Sequence, residues 1–301
     1  MGKTSSVKFD FLLILVTVFW GTGFIAVQFS LDSGLTPLTI IMLRMLFGAA
    51  IMLLFFFKKL KQTTRHDFFH GCIAGGLLFG GFILQTYGMQ YTIISNSAFL
   101  TTTNVIMVPF ISWIFLKKRP PVKIFLSVLL GFIGICILTR AFDANIAFNL
   151  GDVLCLLSAV CFASQIAYTE IAVKNVDATR FSFWEIAFAF VFALIAMVIS
   201  EPVTLPQIFN ISLTGSGLLA CLYLGATCTF FAFWAQSIAQ RHMPSPKTAL
   251  LLSLEAVFAS LFSVLLGYEA LQATLLIGGG IIMASIIILE VSPQKKALPR
   301  N

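Results

Sequence analysis

Long apolar runs, separated by short polar and basic clusters, dominate the chain. A helix that crosses a bilayer needs about 20 mostly apolar residues. Ten segments of that kind can be drawn, at 10–31, 37–57, 69–90, 95–116, 122–140, 151–171, 181–200, 214–236, 246–266 and 272–290. The pattern predicts an all-α membrane protein with ten transmembrane helices. Nine of the ten prolines fall at or outside segment ends, where a missing N–H is tolerated. Pro109 is the exception. Inside the fourth span it is expected to kink the helix and free a carbonyl, which a neighbouring helix or a cavity can satisfy. The first run, from about Phe11 to Phe29, is longer than a signal-peptide core and carries no A-x-A-like site, so the first helix is expected to stay in place.

Composition and charge orient this pattern. Hydrophobic residues make up 59% of the 301 positions and charged residues 10%, against about 25% charged in typical globular domains. Too few polar groups remain to cover a water-exposed surface, so apolar surface must face lipid. The net charge of +7 could suggest nucleic acid, but the basic residues sit between apolar runs, where they act as a topology signal. With the N-terminus placed on one side, 17 of the 19 Lys and Arg fall on that side. Arg140 alone falls opposite and Arg44 lies within a span. The positive-inside rule then puts both tails, 1–8 and 291–301, in the cytoplasm of a multi-pass protein of the plasma (inner) membrane. The six cysteines lie in or beside apolar segments with no metal-site spacing, and read as small apolar residues.

The chain repeats itself. At an offset of 151, Phe82, Gln85, Thr86, Ala98 and Leu100 fall on Phe233, Gln236, Ser237, Ala249 and Leu251, while Asn104 falls on Glu255 and Lys118 on Glu269. An offset of 141 earlier in each half places Phe24 on Gln165 and Arg44 on Glu185. Five spans per half is an odd number, so the second half, 150–290, must cross in the opposite sense to the first, 9–140. Such inverted repeats place a binding site near the midplane, between the halves.

Several of these residues also carry a resemblance. Trp20-Gly21-Thr22-Gly23-Phe24 opens the pattern, followed by Pro37 and Leu43-Arg44. Next come Ser97-Ala98-Phe99-Leu100 and the exit Leu116-Lys117-Lys118-Arg119-Pro120. In the second half they are Ala249 to Glu255 and Leu266-Gly267-Tyr268-Glu269. Over roughly 9–290 the chain resembles the EamA-type members of the drug/metabolite transporter superfamily. That resemblance implies two tandem repeats and metabolite transport, often export of amino acids. It departs from the pattern at Leu254-Glu255-Ala256, where members often have Leu-Glu-Pro, so the ninth helix is expected to kink less. Lys118 also stands where many members have an acidic residue.

Polar residues deep in spans are costly and are functional candidates by default. Glu255 and Asn104 are expected near the midplane, Glu255 either binding an ammonium group or carrying a proton, or else bonding across helices. Arg44 could bind a carboxylate. Its position about 10 Å from the outer end favours snorkelling outward instead. Glu185 is balanced between function and structure, and its depth argues against assuming an Arg44–Glu185 pair. Gln85 and Gln236 are matched candidates for a cavity lining, and Gln165, Trp20, Phe24 and Tyr87 join them as weaker ones, as do Tyr168, Trp184 and Trp234. Gly21 to Ala26 matches a nucleotide fingerprint but lies in a span with no preceding strand. Gly71, Gly75, Gly76, Gly80 and Gly81 have the spacing of close helix packing. Asn210-Ile211-Ser212 is a glycosylation sequon, meaningful only in a eukaryotic host.

The expected function is secondary transport of small metabolites such as amino acids, by alternating access of the two halves, passive or proton-linked, as monomer or homodimer. A flippase for lipids or lipid-linked metabolites is the alternative. An intramembrane enzyme is remote, because His66, His70 and His242 lie in or next to the cytoplasmic loops and no nucleophile with its base is evident. No metal site, cofactor or nucleic-acid partner is expected, and no P-loop supplies ATP.

Overall fold

The computed structural model describes residues 3–117, 119, 121–138, 149–200, 215–268, 270–271 and 273–291. Lys118, Pro120, Arg140, the Asn210-Ile211-Ser212 sequon, Glu269 and the tail beyond 291 lie outside these residues. Every regular element among them is helical. The order is α1 (Lys3–Asp32), α2 (Pro37–Leu60), α3 (Arg65–Gly88), α4 (Ile94–Thr102), α5 (Asn104–Leu116), α6 (Val122–Leu138), α7 (Leu150–Asn175) and α8 (Ala178–Ser200). Then come α9 (Gly215–Tyr223), a π-helical stretch (Leu224–Phe231), α10 (Ala232–Gln240), α11 (Ser245–Leu252), α12 (Leu254–Leu265) and α13 (Ala273–Val291).

Local chemistry sets the helix ends. The Thr36 side chain accepts from the Thr39 amide while Pro37 takes the first helical position of α2, where its missing N–H costs nothing. Thr64 with Asp67 and Asn149 with Asp152 form reciprocal capping boxes at the starts of α3 and α7. Gly34, at φ +89°, turns the chain between α1 and α2 in a conformation that needs no Cβ.

Among the described residues, eight helical segments are long and apolar enough to cross a membrane, counting α4–α5, α9–α10 and α11–α12 as one segment each. The fifth and tenth expected spans form α6 and α13, whose apolar stretches run over Val122–Ile137 and Leu276–Ile288. At 1.5 Å per residue these are about 24 and 20 Å long, short of a ~30 Å hydrocarbon core. They pack on each other, with Gly134 against the Gly278 carbonyl and Ile282.

The fourth and ninth spans differ from expectation in the same way. The fourth breaks at Thr103, six residues before Pro109. The ninth breaks at Ser253 although no proline follows Glu255. A hydroxyl sits at each break. Thr103 Oγ1 donates to the Leu100 carbonyl (2.5 Å) and Ser253 Oγ to the Leu250 carbonyl (2.7 Å), a contact that Thr17 and Ser158 also make inside unbroken helices. After each break the next turn closes tightly, with the Ile106 amide on the Thr103 carbonyl and the Ala256 amide on the Ser253 carbonyl.

Close packing fixes α3 against α8. A Cβ on Gly75 would lie 2.6 Å from Phe188 Cβ and 2.7 Å from the Glu185 carbonyl, so only glycine lets the two backbones approach this far. Gly81 meets the Phe162 ring in the same sense, whereas Gly76 and Gly80 have ordinary contacts.

Candidate functional site

A cavity, partly open, lies among α1, α2, α3, α4, α5, α7, the π-helical stretch, α10, α11 and α12. Its polar lining comes from Arg44, Gln85, Thr101, Thr102, Asn104, Gln165 and Glu255. Its apolar walls include Trp20, Phe24, Phe82, Phe162 and Phe233. A concave, largely apolar site with a few converging polar groups is the usual form of a small-molecule site.

Arg44 does not snorkel. It is 3% exposed and turns inward, with Nε donating to Thr229 Oγ1 (3.1 Å) and its guanidinium 4.0 Å from the centre of the Phe82 ring. A cation–π contact plus a hydroxyl acceptor hold the charge at the cavity wall, which outweighs the pull of the nearby interface. The acceptor comes from an element absent from the sequence-based expectation. The π-helical stretch bonds the Ala232 amide back to the Thr227 carbonyl, five residues away. Such bulges disturb the carbonyl ladder and recur at functional sites. Here the Cys228 carbonyl accepts from Trp20 Nε1 at 2.9 Å, and Thr229 holds Arg44.

Both breaks in the long spans serve the same cavity. The break at Thr103 brings Thr101, Thr102 and Asn104 to its wall, and the break at Ser253 brings Leu252 and Glu255. Arg44 and Glu255 therefore share one chamber, and no ion pair joins them among the described residues. Gln85 Nε2 donates to Thr101 Oγ1 (3.1 Å), which is 3.4 Å from Ser158 Oγ.

Seven of the expected residues thus line the cavity: Glu255, Asn104, Gln85, Arg44, Trp20, Phe24 and Gln165. Three do not. Glu185 lies behind the wall, its Oε1 accepting from Gln165 Nε2 at 2.6 Å. Gln236 is behind the wall too, donating to Gln165 Oε1 (3.2 Å) and Gln240 Oε1 (2.9 Å). Tyr87 packs in the apolar cluster around Phe82 and Phe233. Two residues that face away from the cavity follow the same logic of bonding across helices, with Trp184 Nε1 on Thr63 and Trp234 Nε1 on Thr179. Phe82 and Phe233 were not expected in the site, although the 151-residue offset pairs them; they meet edge to face at 5.9 Å.

At the end of the bundle that carries most of the Lys and Arg, three ion pairs among the described residues join the first part of the chain to the second. Lys247 Nζ lies 2.7 Å from Asp10, Arg180 Nε 2.9 Å from Asp67, and Lys59 Nζ 3.0 Å from Asp177. Phe9 stacks on His242 at the same end, with ring centres 4.3 Å apart. Asp177, in the turn between α7 and α8, is partly buried, which raises its pKa. The Lys59 ammonium and the Arg180 and Thr179 amides outweigh this and hold the carboxyl below its usual value. The opposite end holds an open depression lined by Gln28, Asp32, Tyr91, Thr92, Asn96 and Tyr268, among others.

Apolar helices of membrane-crossing length around a polar, internally charged cavity define a multi-pass membrane protein built to receive a solute. The EamA-like transporter family model matches residues 7–140 and again 149–291, and the chain belongs to that family. It is 32% identical over 282 residues to an uncharacterized transporter of Archaeoglobus fulgidus, covering 94% of this chain and 85% of the relative. It is 24% identical over 300 residues to the uncharacterized transporter YwfM of Bacillus subtilis, covering 96% and 95%. A solved structure of 17% identity superposes with a TM-score of 0.74 over 95% of this chain and 96% of the other, a likeness of fold. Membership makes the protein a membrane transporter.

Proposed function

We propose that the protein is a secondary exporter of small zwitterionic metabolites with apolar side chains, amino acids being the natural class. One observation carries this reading: Arg44 and Glu255 line the same aromatic-walled cavity. Arg44 offers a planar donor set to a carboxylate, and Glu255 offers an acceptor to an ammonium group. The rings of Trp20, Phe24, Phe82, Phe162 and Phe233 suit an apolar side chain between them. Gln85 and Asn104 add uncharged hydrogen-bonding groups.

Transport on this reading is alternating access by two inverted five-helix halves, ten helices in all, with both tails cytoplasmic. The two family matches of similar length and the matched breaks at Thr103 and Ser253 support the repeat. The three ion pairs at the cationic end support a state closed toward the cytoplasm, with the cavity reached from the opposite side. Charge on the solute is neutralised inside the chamber, which lowers the cost of carrying it through the bilayer.

The test is counterflow in proteoliposomes loaded with single amino acids. Uptake of labelled amino acid by wild type, weakened in both Arg44→Gln and Glu255→Gln, is the expected result. Movement of labelled lipid with no movement of any amino acid overturns this reading in favour of a flippase.

A further inference from the structure

We propose that Glu185 is a proton-carrying site set behind the cavity wall and coupled to the solute through Gln165. This deepens the transport reading above and rests on it for the identity of the solute. Glu185 sits on α8, fully buried. Oε1 accepts from Gln165 Nε2, and Oε2 has no hydrogen-bond partner among the described residues. No ion pair reaches it among the described residues.

The hydrogen-bond balance around it is short of one donor. Gln165 Nε2 is shared between Glu185 Oε1 and Thr169 Oγ1 (3.1 Å), and Gln165 Oε1 is taken by Gln236. Gln236 Nε2 is shared between Gln165 and Gln240, yet Gln236 Oε1 accepts nothing, although the residue is fully buried. Two orphan acceptors thus flank a single amide. An ionised Glu185 leaves both orphaned and an unpaired charge in the membrane interior, a costly combination. A proton on Glu185 removes the charge and turns an acceptor into a donor.

The paired and hydrogen-bonded ionisable side chains on the elements packed around it have their partners elsewhere. On α3, Asp67 pairs with Arg180 and His70 Nδ1 is 2.7 Å from the Tyr168 hydroxyl. On α2, Arg44 is held by Thr229 and Phe82, and Lys59 by Asp177. On α7, Glu170 binds Lys174. Among these, none neutralises Glu185.

A row of polar side chains leads from this carboxyl to the cationic end. From Gln236 it runs to Gln240, whose Nε2 donates to Ser245 Oγ (3.3 Å). Ser245 Oγ donates to Glu170 Oε2 (2.7 Å), and Glu170 Oε1 binds Lys174, half of which is exposed. When the cationic end opens, water reaches Glu185 along this row. The carboxyl O–H then breaks, the proton passes to cytoplasmic water, and the carboxylate tightens its hold on the Gln165 amide. Solute binding at Gln165 reads that change. One proton moves in for each solute moved out.

Two measurements decide this. In wild-type proteoliposomes, a one-unit pH gradient is expected to hold an L-amino-acid mixture about tenfold from equilibrium, since one unit is a tenfold driving force for one proton. Glu185→Gln is expected to keep counterflow exchange and lose gradient-driven accumulation, with Glu185→Asp partly restoring it. Accumulation that persists in Glu185→Gln overturns the proposal. The second readout needs no solute: pH-difference infrared spectra of the purified protein. A protonated-carboxyl band absent from Glu185→Gln and shifted in Gln165→Ala supports the assignment. A Glu185 that stays ionised from mildly acidic to mildly alkaline pH overturns it. If wild type moves no amino acid at all, the amino-acid reading fails, and the infrared result alone decides for Glu185.

Discussion

Asp10→Asn is the sharpest perturbation of the closed cationic end. The substitution keeps the size of the side chain and removes the charge that faces Lys247 at 2.7 Å. The two side chains are only 15% and 10% exposed, so the pair is well shielded from water. Exposed pairs are worth about 0–1 kcal/mol, but breaking a buried one costs about 3–5 kcal/mol. On the proposed alternating-access reading, both groups meet water in a cytoplasm-open state and the loss there is small. The closed state alone is therefore destabilised, by about 3 kcal/mol, which shifts the closed-to-open ratio by roughly 100-fold. The reporter is a cysteine at Thr248, a buried position on the same helix face as the cavity-lining Leu252, in a background free of the native cysteines. Thr248→Cys is read by an impermeant maleimide applied from the cytoplasmic side of inside-out vesicles. Labelling is expected to accelerate by up to that factor in Asp10→Asn, and to fall back when the charges are exchanged in Asp10→Lys with Lys247→Asp. Unchanged labelling in a folded Asp10→Asn protein would refute the assignment of this pair to the gate.

Three further outcomes follow from the packing and electrostatics. Thr229→Val removes the acceptor of Arg44 Nε and is expected to weaken solute binding by about tenfold, a hydrogen bond to a charged group being worth about 1.5–3 kcal/mol. In an Arg44→Gln background the same change should do nothing further, and an equal effect in both backgrounds sinks the link. Because the Asp177 carboxyl is held below its ordinary value of 3.8, its contribution to stability is complete above that pH and is lost as pH falls through its lowered value. Unfolding of wild type in detergent should therefore steepen with acid in that window relative to Asp177→Asn, and parallel curves would contradict this. Gly75→Val places carbon atoms into Phe188 and the Glu185 carbonyl and should cost about 1–3 kcal/mol or more, seen as a lowered unfolding midpoint, while Gly76→Ala is close to neutral.

Hydropathy and proline placement made the helical membrane class readable, because lipid leaves a spanning backbone little choice but the helix. Proline placement puts the kink of the fourth span at Pro109. The structure breaks the helix at Thr103, which neither proline nor hydropathy marks. The π-helical stretch at Leu224–Phe231 is equally silent in sequence, yet it supplies the groups that hold Arg44 and Trp20. Depth identified Glu255, and the internal repeat added Asn104 and Gln85 as candidates, and all three line the cavity. Depth could not tell a wall residue from one behind it, which is why Gln236 and Glu185 were grouped with them. Rotation about the helix axis decides that, and an all-round apolar helix gives little periodicity from which to read it. The inward turn of Arg44 is not legible in the sequence because its partners, Thr229 and Phe82, are distant along the chain and only the fold brings them to it.

The central claim is that Arg44 and Glu255 together form a zwitterion site. Counterflow in proteoliposomes tests it directly when one amino acid is compared with its amide, which lacks the carboxylate, and with its des-amino acid, which lacks the ammonium group. Wild type should exchange the amino acid and discriminate against both analogues. Arg44→Gln should no longer distinguish the amide from the amino acid, and Glu255→Gln should no longer distinguish the des-amino compound. Equal exchange of all three solutes by wild type, or the same selectivity in both variants, would contradict the account.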